Sequence, residues 1–186
     1  MEPLSPLLAT TERETLQFFF SGLKDVSDDD VDQKELLYTA SVLAHHALVS
    51  TEATQGLPAP ETLTDVLDNF VLSSALHDDT YMMEAAAAQC LLLAGFFEQQ
   101  MRRRHNVRWY AALGSGFFRR AARLSSQHSR AELLDAVGRH FEPWRMRCAR
   151  LSGELRAQPY LLAIRNASHR VERSASGDSD DNAIAG

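Results

Sequence analysis

Residues 80–104 read TYMMEAAAAQCLLLAGFFEQQMRRR, and this stretch decides the fold. From Tyr81 to Phe97 it is apolar nearly all round, so that as a helix it has no side suited to water. The four alanines at 85–88 would let a neighbouring backbone approach closely. Such a helix must be surrounded by others. The stretch therefore predicts an all-α fold, a single bundle of six or seven helices around a central apolar helix at about 80–104.

The rest of the chain predicts the surrounding helices. Thr11 with Glu14, Asp32 with Glu35 and Ser129 with Glu132 each have the spacing of a helix N-terminal capping box. Asp79 or Thr80 can cap the central helix, and Pro143 should kink or split the helix that contains it. The expected helices cover about 11–22, 32–50, 61–76, 80–104, 107–126, 129–155 and 160–171. No segment alternates apolar and polar residues with a period of two, so no strand is expected.

Three apolar stripes at helical spacing identify the expected core. The second helix contributes Leu36, Ala40, Leu43 and Ala47. The fifth helix contributes Tyr110, Leu113, Phe117, Ala121 and Leu124. The third stripe is a seam with steps of three and four, formed by Leu134, Val137, Phe141, Trp144, Cys148, Leu151 and Leu155. This seam has two interpretations, because it suits packing within the bundle and packing against a second copy of the chain.

Charge is divided unevenly along the chain. Residues 1–100 carry 3 basic and 17 acidic side chains, whereas residues 101–186 carry 16 basic and 8 acidic ones. The sequence predicts one helical domain over 1–173 and a disordered acidic tail over 174–186. Cys90 and Cys148 lie in apolar patterns and are expected to be buried free thiols. With no signal peptide and no apolar run long enough to span a bilayer, a cytoplasmic location is predicted.

Part of the chain resembles a known sequence pattern. Its residues are Leu92-Leu93-Ala94-Gly95-Phe96-Phe97, then Arg102-Arg103-Arg104, then Trp109-Tyr110-Ala111-Ala112-Leu113-Gly114 and Phe118-Arg119-Arg120-Ala121-Ala122. The pattern is similar to that of an uncharacterised family of bacterial α-helical proteins with no assigned activity. The resemblance covers about Leu91–Ala122. It implies a helical fold and a bacterial source, and it implies no catalytic residues.

The second half of the chain carries a candidate binding surface rich in arginine. Its members are Arg102, Arg103, Arg104, Arg108, Trp109, Arg119, Arg120 and Arg123. Arginines interleaved with aromatic side chains suit nucleic acid through phosphate contacts and base stacking, and they also suit an acidic protein. A third interpretation is internal, with the arginines paired to Asp65, Asp68, Asp78, Asp79 or Glu84. The net charge of −6 opposes general affinity for nucleic acid.

A second constellation has the residue types of a metal site. His46, the pair His77-Asp78 and the distant Asp135 resemble the order of ligands in metal-dependent phosphohydrolases of the HD type, which are all-helical. Imidazole and carboxylate ligands hold a divalent metal that lowers the pKa of bound water. The basic residues expected after the pair are missing, however, and Asp78-Asp79 also suits a helix N-terminus.

No pattern for nucleophilic catalysis is present, since Ser115 lies in a helical stretch with no strand before it. The sequence therefore favours a cytoplasmic, non-enzymatic interaction or adaptor protein without a cofactor or membrane association. The expected partner is a protein, including a second copy in a homodimer, and it would contact the fifth helix or the seam. A nucleic-acid-associated regulator and a metal-dependent hydrolase are the alternatives.

Overall fold

The structure, a computed structural model, describes residues 12–28, 30–52, 64, 65, 67, 68, 71, 78–103 and 105–157. Its helices are α1 (Glu12–Asp25), α2 (Gln33–Glu52), α3 (Thr80–Leu91), a π-helix (Leu92–Phe96), α4 (Glu98–Met101), α5 (Val107–Leu124), α6 (His128–Arg139) and α7 (Phe141–Ala157). No strand occurs among these residues. The predicted all-α helical bundle is confirmed.

The centre of the bundle is the segment in which α3 passes into the π-helix. Every residue from Cys90 to Glu98 is buried. The helix α3 packs on α5, α5 packs on α6, and α7 packs on the π-helix, while α1 pairs with α2 and also contacts α7. The prediction of a helix enclosed on all sides is wrong for the amino-terminal part of α3, because Tyr81 is 73% exposed, Met82 is 39% exposed and Ala85 is also exposed.

The central helix is also not continuous. The amide of Phe97 donates to the carbonyl oxygen of Leu92 at 2.8 Å, five residues back, which is the wider turn of a π-helix. Nearby carbonyl oxygens then accept from arginines of α7: Arg145 donates to Ala94 at 3.2 Å, and Arg156 donates to Phe96 at 3.1 Å. Contacts with α7 therefore stabilise the place where the helix changes its pitch.

Two of the predicted helix caps are confirmed and one is wrong. The Asp32 carboxylate accepts from the amides of Lys34 and Glu35, and that of Asp79 accepts from Tyr81 and Met82. The helix α6, in contrast, begins at His128 after Gln127. Ser129 thus lies inside the first turn rather than at the cap. Glu132 pairs instead with the imidazole of His128 at 3.1 Å, one turn back.

The apolar stripe of α2 and the seam are buried as predicted. All four members of the α2 stripe and all seven members of the seam are at most 9% exposed. The helix predicted at 129–155, which contains Pro143, is split into α6 and α7. Pro143 lies in the first turn of α7, where its missing amide removes no helical hydrogen bond. The seam is enclosed by this chain, so that its interpretation as a contact surface for a second copy is wrong.

The predicted stripe of α5 is displaced. The residues that α5 buries are Tyr110, Gly114, Phe118, Ala121 and Ala122. Leu113 and Phe117 are only partly buried, and Leu124 is 38% exposed. The reason is a close approach at Gly114, where an added Cβ would lie 2.4 Å from Cζ of Phe141 and 2.7 Å from Cβ of Cys90. A pattern that counts large apolar residues misses a face centred on glycine.

Several predictions fall outside the described residues. Of the third predicted helix, 61–76, the structure describes Thr64, Asp65, Leu67, Asp68 and Val71; all five are helical, and Leu67 is fully buried. The cap at Thr11, the last helix at 160–171 and the tail at 174–186 lie beyond the described ranges. Within those ranges, no helix combines the length and the hydropathy that a membrane crossing requires.

Candidate binding surfaces beside helix α5

The outer side of α5 carries most of the predicted basic surface. The amide of Trp109 donates to the Asn106 side chain at 3.3 Å, so Asn106 caps the helix and fixes where it begins. From there exposed residues follow one side of the helix up to Arg123. We call the following residues the arginine face: Arg108, Trp109, Ala112, Gly116, Arg119, Arg120 and Arg123. An added Cβ on Gly116 would meet no atom within 4 Å. The middle of this face is therefore flat and open.

The arginines of this face differ in their partners. Arg120 pairs with Asp78 at 2.9 Å, which confirms the internal interpretation for this one residue. Arg108, Arg119 and Arg123 form no ion pair within the described part of the chain. Three guanidinium groups on one side of a helix thus form no close ion pair with those residues, although Arg108 is near enough to Glu142 for its charge to lower the pKa of that carboxyl group.

The other acidic residues proposed as internal partners have different roles. Glu84 accepts from Arg130 at 2.6 Å and from the Tyr38 hydroxyl at 2.9 Å, and neither donor was among the candidates. The Asp79 carboxylate caps α3. Asp65 is exposed, as is Asp68. Burial, with smaller effects from Asp68 and Cys90, raises the pKa of Tyr110 to about 12.

The cluster at 102–104 is separate from the arginine face. Arg102 donates to Glu98 at 2.8 Å and is bound one turn away on α4. Arg103 is exposed, and Arg104 lies outside the described residues. The predicted basic surface is therefore two regions, which meet at Arg108.

The second region borders an open cleft of about 870 Å³. Its walls are α4, the amino end of α5, the carboxyl end of α6 and the amino end of α7. Six charged side chains line it: Arg102, Arg108, Arg139, Arg145, Glu98 and Glu142. Positive charge exceeds negative charge in this lining, which favours an anionic ligand.

Arg145 organises the floor of the cleft. It is 8% exposed, and it donates through Nε and Nη2 to Glu142 at 2.8 and 2.6 Å and through Nη1 to Glu98 at 2.7 Å. Burial raises the pKa of Glu98, but the hydrogen bonds from Arg102 and Arg145 outweigh it and hold the pKa below its ordinary value. Hydrogen bonds from Arg145, with a smaller contribution from the charge of Arg108, lower the pKa of Glu142. Both carboxylates are therefore ionised at neutral pH and are poor proton acceptors.

The structure places the candidate metal ligands in different surroundings. Asp78 pairs with Arg120, Asp135 pairs with Arg139 at 2.9 Å, and His46 packs edge-on against Phe97. His77 lies outside the described residues. No group of three or more His, Cys, Asp or Glu side chains suited to a metal occurs among the residues that the structure describes. The metal hypothesis gains no geometric support, and it stays a prediction because His77 is untested.

Two polar clusters were missed by the sequence analysis. Glu35, expected to complete a capping box, is 5% exposed and accepts from Trp144 Nε1 at 2.6 Å and from His140 Nδ1 at 3.0 Å. This carboxylate joins α2 to the corner between α6 and α7. The other cluster is the network around Arg145. Neither cluster has a sequence signal, because Arg145 and Glu98 lie 47 positions apart along the chain and Trp144 and Glu35 lie 109 positions apart.

In the described part of the chain, Ser115 and the two cysteines have no nucleophilic setting. Ser115 donates to the carbonyl oxygen of Gly138 at 2.7 Å, which ties α5 to α6. Cys90 and Cys148 are buried free thiols, as predicted. Burial raises the pKa of Cys148 to about 12 and that of Cys90 further still. Neither forms a thiolate near neutral pH.

Comparison with known proteins found no match among protein-family models, curated proteins or solved structures. The resemblance over Leu91–Ala122 accordingly stays a prediction.

Proposed function

We propose that this protein is a non-enzymatic interaction protein whose arginine face docks an acidic helix of a partner protein. The observation that carries the proposal is the absence of an ion pair at Arg108, Arg119 and Arg123 within the described chain, on a face where Arg120 is paired. Unpaired arginines beside an exposed aromatic side chain are typical of protein contact surfaces. Trp109, 42% exposed at one end of the face, supplies that aromatic group.

The shape of the face suits a helix. Ala112 and Gly116 occupy its middle and leave no side chain beyond a methyl group, so a second backbone can come close. Arg108 lies at one end, and Arg119 and Arg123 lie at the other, a span of about 22 Å along the helix axis. A partner helix of about 15 residues with glutamates near both ends would match both groups of arginines.

The surroundings of the face favour a protein over nucleic acid. Asp78, whose side chain is 84% exposed, is held on the face by Arg120. The adjoining helix α6 presents Glu132, whose side chain is 67% exposed, and the chain as a whole carries a net charge of −6. A phosphate backbone carries closely and evenly spaced negative charges and would meet these carboxylates. A helix with a few well-placed glutamates can avoid them.

The proposal is tested with a labelled peptide and two matched charge reversals. The peptide is an alanine-based helix of 16 residues with glutamate at every fourth position, and binding is measured by fluorescence anisotropy at low and high salt. Arg119→Glu with Arg123→Glu should weaken binding at least about tenfold, because two attractive contacts become repulsive. Arg13→Glu with Lys24→Glu changes the net charge equally on α1, where both residues are exposed, and should leave binding unchanged.

Equal binding by the wild type and the arginine-face variant would contradict the proposal. Tighter, face-dependent binding of single-stranded DNA than of the peptide would replace it with the nucleic-acid alternative. Sedimentation velocity on the wild type and the same variants measures self-association. If the acidic helix belongs to a second copy of this chain, the wild type self-associates and only the arginine-face variant loses that self-association.

A further inference from the structure

The cleft beside α4 is distinct from the arginine face and has the dimensions of a small-molecule site. Its volume of about 870 Å³ lies within the range of roughly 300–1,000 Å³ that is common for ligand pockets. Only Arg108 and the small residue Ala112 belong to both surfaces. Because Arg108 belongs to both surfaces, the two functions are distinguished by residues outside this overlap, namely Arg139 for the cleft and Arg119 and Arg123 for the arginine face.

Arg145 fixes the floor of the cleft and has no donor left for a ligand. Its Nη1 atom is shared by Glu98 and the carbonyl oxygen of Ala94, and its Nε and Nη2 atoms are bound by Glu142, with Met146 Sδ also in contact. The role of this buried guanidinium is to hold Glu98 and Glu142 in place. A site whose polar groups are fixed in advance loses little entropy when a ligand binds.

Only one of the two carboxylate oxygens of Glu98 accepts hydrogen bonds within the described chain. Nε and Nη2 of Arg102 and Nη1 of Arg145 all donate to Oε1, at 3.1, 2.8 and 2.7 Å. Within the described chain, no hydrogen bond is made to Oε2. The Glu98 side chain is 11% exposed and lines the cleft, so this oxygen is an acceptor for a ligand. A mostly buried carboxylate that keeps a free oxygen favours a ligand with a hydroxyl or ammonium donor.

The rim supplies the complementary cations. Arg108 is exposed, has no ion pair in the described chain and lies at the amino end of α5, whose dipole also favours a negative charge. The Arg139 side chain is 60% exposed and pairs through Nε with Asp135 at 2.9 Å, which leaves much of its guanidinium group accessible to a ligand. The guanidinium groups of Arg108 on α5 and Arg139 on α6 both line the cleft, and each can form paired hydrogen bonds with a carboxylate or phosphate.

We propose that the cleft binds a small organic anion that carries a hydroxyl or ammonium group next to a carboxylate or phosphate. Arg108 and Arg139 bind the anionic group, and Glu98 Oε2 accepts a hydrogen bond from the neighbouring donor.

Isothermal titration calorimetry on the full chain tests the proposal with four probes. Malate and aspartate carry the hydroxyl or ammonium group beside a carboxylate, glycerol 3-phosphate carries a hydroxyl beside a phosphate ester, and succinate is malate without its hydroxyl. We expect malate or aspartate to bind at least about tenfold more tightly than succinate, because a hydrogen bond to a charged acceptor is lost. If a phosphate is preferred, glycerol 3-phosphate binds more tightly than malate and competes with it.

Variants assign the contacts. Arg108→Gln and Arg139→Gln are surface changes that should each weaken malate binding about tenfold or more, and Glu98→Gln should remove the preference for malate over succinate. Arg123→Gln, on α5 but outside the cleft, is the matched control. Should Glu98→Gln fail to fold, the two arginine variants still decide the question.

Three results would overturn the proposal: no heat of binding with any probe at millimolar concentration, equal affinities for malate and succinate, or an Arg123→Gln variant as weak as Arg108→Gln. Two variants distinguish failure of this proposal from failure of the proposed function. Arg119→Glu with Arg123→Glu should lose the acidic helix but keep malate, and Arg139→Gln should do the opposite.

Discussion

Helix α5 has two glycines, Gly114 and Gly116, on its inner and outer sides. An added Cβ would lie 2.4 Å from the ring of Phe141 at Gly114 and would touch nothing within 4 Å at Gly116. The same contrast separates other matched pairs in the chain. Glu35 and His46 contact the core, whereas Glu132 and His128 pair with each other at the surface of α6. The inner side is fixed by packing, and the outer side is exposed.

The largest difference between the two sides is expected for the carboxylates. Glu35→Ala leaves Trp144 Nε1 and His140 Nδ1 without their acceptor and should lower the free energy of unfolding by roughly 3 kcal/mol. Glu132→Ala removes an exposed pair with His128 and should cost less than about 0.5 kcal/mol. Urea denaturation of both variants measures the contrast. Similar losses for the two would show that Glu35 is not the buried link between α2 and α7.

The two glycines should respond in opposite directions to alanine. Gly114→Ala forces Phe141 or Cys90 to move and should destabilise the fold by about 2 kcal/mol. Gly116→Ala adds a methyl group in open space inside a helix and should stabilise it by about 0.5–1 kcal/mol. Thermal unfolding monitored by circular dichroism provides the measurement. A stabilising Gly114→Ala would contradict the close packing of α5 on α3 and α7.

The histidines extend the comparison to pH. Burial, with a smaller effect from His45, lowers the pKa of His46 to about 4, against about 6.5 in an unfolded chain. The unfolded state therefore binds more protons between these values, and the stability that neutral His46 contributes above pH 6.5 is lost as the pH falls towards 4. The lowered pKa values of Glu98 and Glu142 act in the same direction at lower pH.

The variant His46→Leu has no imidazole at this position and lacks this pH-dependent contribution. Between pH 7 and pH 4.5 the free energy of unfolding should therefore fall in both proteins, but by about 2 kcal/mol less in His46→Leu than in the wild type. His128→Gln, at the outer surface, should keep the wild-type pH dependence. Denaturant titrations at a series of pH values supply both curves. Parallel curves for wild type and His46→Leu would place His46 in contact with water.

The smallest effect on stability is expected at the arginine face. Arg119→Gln with Arg123→Gln removes two exposed charges that have no ion pair in the described chain, so the free energy of unfolding should change by less than about 0.5 kcal/mol. The same denaturation measurement is the check. A larger loss would mean that these arginines are part of the fold rather than of a surface available to a partner.

How far the sequence predicts this molecule depends on the kind of interaction. The stripe from Leu36 to Ala47 and the seam from Leu134 to Leu155 are correct, because a run of apolar residues at helical spacing can be buried in only one orientation. The cap at Asp79 is correct, because it depends on neighbours two and three positions away. The predicted box at Ser129 is wrong because the helix begins at His128, which places Ser129 inside the first turn.

The sequence predicted which arginines belong to the candidate binding surface, but it did not predict how they are arranged in the structure. The sequence identified the arginines as a single group, whereas in the structure they belong to two surfaces. Arg102 pairs with Glu98 and lines the cleft, and Arg108 belongs both to the cleft and to the arginine face. The ion pair between Glu98 and Arg145 was not predicted, because the two residues lie 47 positions apart along the chain. The π-helix was not predicted either, because the contacts that stabilise it come from the distant helix α7. Arg145 donates to the carbonyl oxygen of Ala94, and Arg156 donates to that of Phe96.

The amino-acid sequence by itself determined that the chain is helical, where most of its apolar stripes lie and which segment forms the centre, because these depend on periodicity within a few turns. Only the tertiary structure decided that the inner side of α5 is centred on Gly114, that Glu35 is buried against Trp144 and that the arginines border two different surfaces. The reason is that close approach and charge pairing depend on distances between helices, and residues far apart along the chain set those distances.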